Sequence, residues 1–348
     1  MYIGAPGRHP DLVRRPRDQP STSSTPASDH AALAAGAEAA MRCLGVGPTD
    51  DVLVLCNEEQ RSIAEALADA AEDPARSVRV VSYPTLTRDG EEPPEDVAKA
   101  MTAASVILAP TTFSLSHTRA RMDATRRGAR IATMPAMTEA VFSRAMAVDY
   151  AELHRRGALI AVRLTAASTC RVTSPAGTDI VLDLEGRSAI VDAGSLEAEA
   201  AFGNLPAGEA YIAPVEGSAE GLIVFDGSLA DIGILDDTAR VKVEGGRATE
   251  AEGAAGGRLL DTLDAGGPGG RVLAELGIGT NPSAILSGNV AEDEKVIGTA
   301  HLAFGTNVSF GGANTASVHI DGILLEPTVE LDGGVLIESG KLLDRGGD

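Results

Sequence analysis

Residues 51–56 read Asp51-Val52-Leu53-Val54-Leu55-Cys56, an apolar run with one charge at its start. A run this short and this apolar has the pattern of a strand buried on both faces. Helical segments flank it. Ala31–Leu44 is alanine-rich and stops at Gly45, while Gln60–Ala71 places Ile63, Ala64, Leu67 and Ala71 on one stripe. Val78–Ser82, Ser105–Ala109 and Arg130–Met134 repeat the strand pattern, with helical stretches at Pro94–Ala104 and Arg119–Gly128 between them. Alternation of this kind implies an α/β domain with a mostly parallel open sheet, spanning residues 31–156. Ligands of such sheets bind at the carboxyl ends of the strands.

After residue 156 the pattern changes. Leu159–Leu164, Thr169–Thr173, Asp179–Leu184, Gly221–Phe225, Ala239–Val243, Val296–Phe304, Ser317–Leu325 and Thr328–Leu331 read as strands, and Arg258–Leu263 and Arg271–Leu276 as helical turns. A β-rich α+β domain is therefore expected over 157–345. The glycine clusters Gly253–Gly257, Gly266–Gly270 and Gly277–Gly279 invite a nucleotide-binding reading. None follows a strand and opens a helix with a phosphate-loop or dinucleotide pattern, so turns are expected there. Residues 1–30 have the composition of a disordered tail.

The chain has 348 residues, with 50 acidic against 29 basic side chains and a formal net charge of −21. That field disfavours nucleic acid and anionic membrane as partners, and 3% aromatics with no tryptophan disfavours base-stacking. Cys43, Cys56 and Cys170 are widely spaced, which excludes a cysteine zinc framework and fits a reducing compartment. No apolar stretch is long enough for a transmembrane helix and no secretory signal is evident, so a cytoplasmic location is expected.

The residues able to do chemistry concentrate between Gly208 and Asp321. Val318-His319-Ile320-Asp321 sets an imidazole and a carboxylate two apart, on one face of a strand. His301 stands in a second strand, Glu275 before a Gly/Asn/Pro stretch and Glu209 after Pro206-Ala207-Gly208. Two imidazoles and three carboxylates are donors suited to Zn, Co, Mn or Fe(II). From spacing alone, a His beside an Asp in a strand is more often a hydrogen-bonded pair than a metal site, and lone glutamates are by default surface carboxylates. His117, in Ser116-His117-Thr118, is either a substrate or interface contact or part of a helix-capping arrangement. Lys295 is expected as an ion-paired turn residue. No nucleophile elbow and no activated cysteine is evident.

Several segments, in order across residues 50–345, resemble the aminopeptidase T/aminopeptidase S metallopeptidases and their shorter, leucyl aminopeptidase-like relatives. They include Ser114–Arg121 (SLSHTRAR), Asn204–Gly221 (NLPAGEAYIAPVEGSAEG), Ala274–Pro282 (AELGIGTNP), Glu292–Asn307 (EDEKVIGTAHLAFGTN) and Ser317–Leu324 (SVHIDGIL). The resemblance implies a homodimeric hydrolase with a two-metal centre, in which Glu209, Glu275, His301, His319 and Asp321 are ligands and Glu275 is a possible bridge. Metal-bound water would then cleave the aminoacyl bond of a short peptide or other small substrate. Val308 stands where those peptidases carry a tyrosine ligand. In size the chain also resembles the distant 2,5-dihydroxypyridine 5,6-dioxygenases, whose two-histidine, one-carboxylate Fe(II) site His319 and Asp321 would equally serve. A non-catalytic metal- or ligand-binding homologue is the third expectation.

Overall fold

The computed structural model describes residues 26–343. Its first half runs α1 (Pro26–Cys43), β1 (Asp51–Cys56), α2 (Arg61–Glu72), β2 (Ser77–Ser82), α3 (Glu95–Ala103), β3 (Val106–Thr111), α4 (Arg119–Arg126), β4 (Arg130–Pro135) and α5 (Glu139–Ala145). These four strands pair in parallel in the order β2-β1-β3-β4. Alternate residues of β1 enter different cores: Val52, Val54 and Cys56 pack with α1, α2 and α5, and Leu53 and Leu55 pack with α3 and α4. Burial on both faces explains why this run has no polar alternation.

The second half runs α6 (Tyr150–Ala166), β5 (Thr169–Thr173), β6 (Asp179–Asp183), β7 (Ile190–Asp192), β8 (Phe202–Asn204), β9 (Glu209–Ile212), β10 (Glu220–Phe225), β11 (Ser228–Leu229) and β12 (Gly233–Ile234). It continues with β13 (Ala239–Glu244), β14 (Arg247–Glu252), α7 (Ala254–Ala265), β15 (Leu273–Gly279), α8 (Val290–Asp293), β16 (Ala300–Gly305), β17 (His319–Leu324), β18 (Thr328–Leu331), β19 (Gly334–Glu338) and β20 (Lys341–Leu342). Two antiparallel sheets result, β14-β13-β10-β6-β5-β18-β19-β20 and β12-β11-β17-β16-β15-β9-β7. They face each other across one core that includes Val172, Ile180, Ile223, Phe225, Leu276, Ile278, Leu302 and Phe304. Leu276 and Ile278 of β15, and Leu302 and Phe304 of β16, alternate with Glu275, Gly277, His301 and Ala303. The period-2 geometry of a strand sends that second set to the opposite face.

The expected fold class holds: an α/β half with a parallel sheet, then a β-rich half. The junction is interwoven, because α6 runs through residues 156 and 157 and β8 returns to pair in parallel with β4. Local corrections follow. Leu159–Leu164 is helical, because Asp149 accepts hydrogen bonds from the amides of Ala151 and Glu152 and the apolar run extends a helix already nucleated there. Arg271–Leu276 is not helical. It leads into β15, whose residues are all buried between paired strands, so tertiary burial overrides local propensity. Gly277–Gly279 also belongs to β15 and not to a turn. The helix α1 begins at Pro26, inside the expected tail. The rest of that tail, residues 1–25, lies outside the described residues. Among the described residues, no helix is long and apolar enough to cross a membrane.

Candidate metal centre

Four neighbouring strands carry the five residues singled out above. Glu209 lies on β9, Glu275 on β15, His301 on β16, and His319 and Asp321 on β17. Register aligns them. Glu275 is opposite Ala303, which is opposite Asp321, so one small side chain separates two carboxylates on the same face. His301 is opposite Gly277, and a β-carbon built on Gly277 would stand 1.9 Å from His301 Nε2. The glycine is therefore what lets the ring lie across β15 toward Glu209.

The distances are those of a single cluster. His301 Nε2 is 3.1 Å from Glu209 Oε2 and 3.3 Å from Glu275 Oε1. His319 Nε2 is 3.3 Å from Glu275 Oε2 and 3.6 Å from Asp321 Oδ1. The other His319 nitrogen, Nδ1, faces the Thr306 carbonyl at 2.8 Å, a contact that fixes the ring with Nε2 toward the carboxylates. Among the described residues two sets, Glu275–His301–Asp321 and Glu209–Glu294–His301, each have donor atoms that all lie within 4.8 Å of one another. Buried Glu209 Oε2 and His301 Nδ1 have no hydrogen-bond partner in the protein. An acceptor left bare beside an imidazole, in a set of oxygen and nitrogen donors, fits a divalent cation.

The electrostatics agree. Burial would lower the pKa of His301, but Glu209 and Glu275 hold it well above the usual histidine range. Burial would likewise lower that of His319, and Asp321 with Glu275 raises it well above that range. Burial opposes ionisation of Glu275, yet the two imidazoles pull its pKa down to about 2. Negative charge at the centre is thus held by positive charge wherever the protein can supply it.

Glu294 and Lys295 have no counterpart in the ligand set read from the sequence. Lys295 is 1% exposed. Its ammonium lies 2.5 Å from Glu209 Oε1, 2.8 Å from Glu294 Oε1 and 3.4 Å from Asp192 Oδ2. Lys295 is ion-paired as expected, but its partners on β7 and β9 are remote in sequence. Burial raises the pKa of Glu294 to about 8 and that of Asp192 to about 6, each against the pull of Lys295. The segment is held rigidly: the Glu292 carboxylate accepts from Arg144 Nε and Nη2 at 2.9 and 2.8 Å, and that of Asp293 from Ser228 Oγ at 2.6 Å. The Lys295 carbonyl accepts from the Asn281 amide at 2.8 Å.

His117 stands outside the ligand cluster. It is exposed, and it is Thr118 that caps α4, accepting from the Arg121 amide. Partial desolvation, then Arg121 and His319, hold the His117 pKa below the usual value, so the ring is close enough to His319 to feel its charge. Val308, 52% exposed, opens a short 3-10 turn over Val308–Phe310. Phe310 in that turn packs edge-on against Tyr211 at 5.4 Å and His319 at 5.8 Å.

A family model described as 2,5-dihydroxypyridine 5,6-dioxygenase (NicX) matches residues 32–344. The chain belongs to the NicX family. Among solved structures, the 2,5-dihydroxypyridine dioxygenase of Pseudomonas putida KT2440 is similar with a TM-score of 0.75 and 20% identity, over 91% of this chain and 98% of that one. The aminopeptidase T (AmpT) of Thermus thermophilus is similar with a TM-score of 0.68 and 20% identity, over 90% and 99%. No curated protein sequence gives a significant match. The aminopeptidase resemblance thus holds at the level of the fold, and NicX membership marks the chain as a metal-dependent enzyme.

Proposed function

We propose that the chain is an Fe(II)-dependent dioxygenase that opens the ring of a small hydroxylated aromatic, of the dihydroxypyridine kind named by its family. The observation that carries this reading is the convergence of His301, His319 and Asp321, with Glu275 between the two rings. Those residues would hold the ion, as two imidazoles and a carboxylate that leave positions open. Bound there, Fe(II) supplies the binding and activation of oxygen beside the substrate. The protein supplies the rest. Phe310, edge-on to His319 and backed by Tyr211, offers an aromatic wall against which a planar ring can pack. His117, kept neutral near pH 7 by its lowered pKa, can accept the proton of a ring hydroxyl.

Retention of both Glu209 and Glu275 favours a second reading, an aminopeptidase-like hydrolase using Zn, Co or Mn. Val308 counts against it, because an exposed aliphatic side chain supplies no ligand where the peptidases have tyrosine. The deciding assay loads metal-stripped protein with Fe(II) and follows oxygen uptake with 2,5-dihydroxypyridine. Substrate-dependent uptake is expected. Anaerobic cleavage of aminoacyl amides by the Zn, Co or Mn form, with no uptake by the Fe(II) form, would establish the hydrolase instead. We further propose a homodimer, for which sedimentation should give twice the chain mass.

A further inference from the structure

The donor cluster has two ends. One is Glu275, His301, His319 and Asp321. The other is Glu209 and Glu294, whose oxygens group with His301, and Glu209 stands opposite Asp192 in the β7–β9 pair. At that second end the cation is already present, as part of the chain. We propose that the Lys295 ammonium stands in for a second metal ion, so that a fold whose ligands could hold two divalent cations holds one. This inference rests on the metal-site reading above and deepens it.

The geometry is specific. An ammonium has three N–H donors and no acceptor, and Lys295 Nζ meets three carboxylates, those of Glu209, Glu294 and Asp192. The group is fully buried, so its charge is tolerated only because those partners surround it. A divalent ion bound to Glu209 Oε1 at about 2.1 Å would stand no more than about 4.6 Å from Nζ, given the 2.5 Å between Nζ and that oxygen. At that separation, with little water between them, a dication and an ammonium repel strongly. The lysine cannot easily swing away. Its backbone is tied to Asn281, and the preceding Glu292 and Asp293 are anchored to Arg144 and Ser228. The free Glu209 oxygen, Oε2, still faces His301 at 3.1 Å, so Glu209 links the built-in cation to the metal end.

The test counts ions. Full-length protein is stripped with chelator and dialysed against Mn(II), and bound metal per chain is measured alongside the electron paramagnetic resonance spectrum. Wild type is expected to bind one Mn(II), and Lys295→Arg, which keeps the charge, also one. Lys295→Met is expected to bind two, with spin coupling between them, and Glu209→Gln added to it should return the count to one. Where Lys295→Met fails to fold, the double variant Glu294→Gln/Lys295→Met carries a smaller uncompensated charge, and it should bind Mn(II) with altered stoichiometry or spin coupling relative to Glu294→Gln alone. Two ions in wild type, or one ion with unaltered spectrum in the lysine-free variants, would overturn the role of Lys295 while leaving the metal site intact. No ion in wild type would overturn the metal-site reading itself.

Discussion

Replacing Gly277 with alanine perturbs the centre through a single methyl group. The added carbon would stand 1.9 Å from His301 Nε2, and ordinary contact begins at 3.4 Å, so the ring must move by about 1.5 Å, the difference between the two. A metal–ligand distance tolerates about 0.2 Å. His301 is fully buried with Leu302 and Ala300 on either side, so it has no open space to move into without also leaving Glu209 and Glu275. Loss of one of the imidazole ligands should weaken metal binding at least 100-fold, about 2.8 kcal/mol at 1.4 kcal/mol per tenfold. The crowding should cost about 1–3 kcal/mol of stability besides. Equilibrium dialysis against Mn(II) reads the first effect and urea unfolding the second. The comparison is sharp because alanine in a strand, free of any clash, is more favourable than glycine by about 0.5–1 kcal/mol. Wild-type metal affinity in folded Gly277→Ala protein would refute the assignment of His301 as a ligand held in place by this glycine.

Other expectations follow from the same contacts. His319→Ala and Asp321→Ala should each abolish bound metal with little change in the unfolding midpoint, since His319 is partly exposed; unchanged metal content in both would exclude the pair as ligands. Arg144→Met leaves the fully buried Glu292 carboxylate without its bidentate partner and should cost about 3–5 kcal/mol, measured by urea unfolding. Asn281→Ala removes donors to the Ala145 and Ala207 carbonyls and an acceptor for Ser283 and Ala284, and a loss of about 2–4 kcal/mol is expected, where less than about 1 would show that water replaces the amide. The Glu216 carboxylate has its pKa lowered from 4.5 to about 2 as the Ala313 amide, Asn307 and Arg187 outweigh its burial. A lowered folded pKa means stability that is complete above about pH 4.5 and lost as pH falls toward 2. The difference in urea midpoint between wild type and Glu216→Gln should therefore be full at pH 6 and narrow between pH 4.5 and pH 3; a difference independent of pH would contradict the assignment.

Local pattern carried the first half of the fold, and long-range pairing limited the second. The strands β1, β3 and β4 were legible because burial on both faces makes an apolar run with helices on either side. The ends of α6 were not, because five apolar residues among the six of Leu159–Leu164 fit a strand until the cap at Asp149 is known. In the site, His319 and Asp321 were legible from a spacing of two, and His301, Glu209 and Glu275 from resemblance. Glu294 and Lys295 were not. Their neighbours in sequence, Glu292 and Asp293, look like a solvated acidic run, and only the packing of α8 against β11 and β17 buries it. The glycines at 277 and 279 read as a turn because a glycine needed for absence of a side chain resembles one needed for backbone freedom.

The return of β8 to the parallel sheet has a practical consequence. Four residues separate Asn204, whose side chain accepts from Thr133 and Ser116 at the carboxyl edge of that sheet, from Glu209 in the candidate metal cluster. A polypeptide cut between residues 156 and 157 would divide α6 and strip β4 of its neighbour, exposing an apolar strand edge prone to pairing with other chains. The two halves are thus sewn together rather than joined end to end. Any rocking of the first sheet would be felt, through so short a tether, at the carboxylate that Lys295 holds.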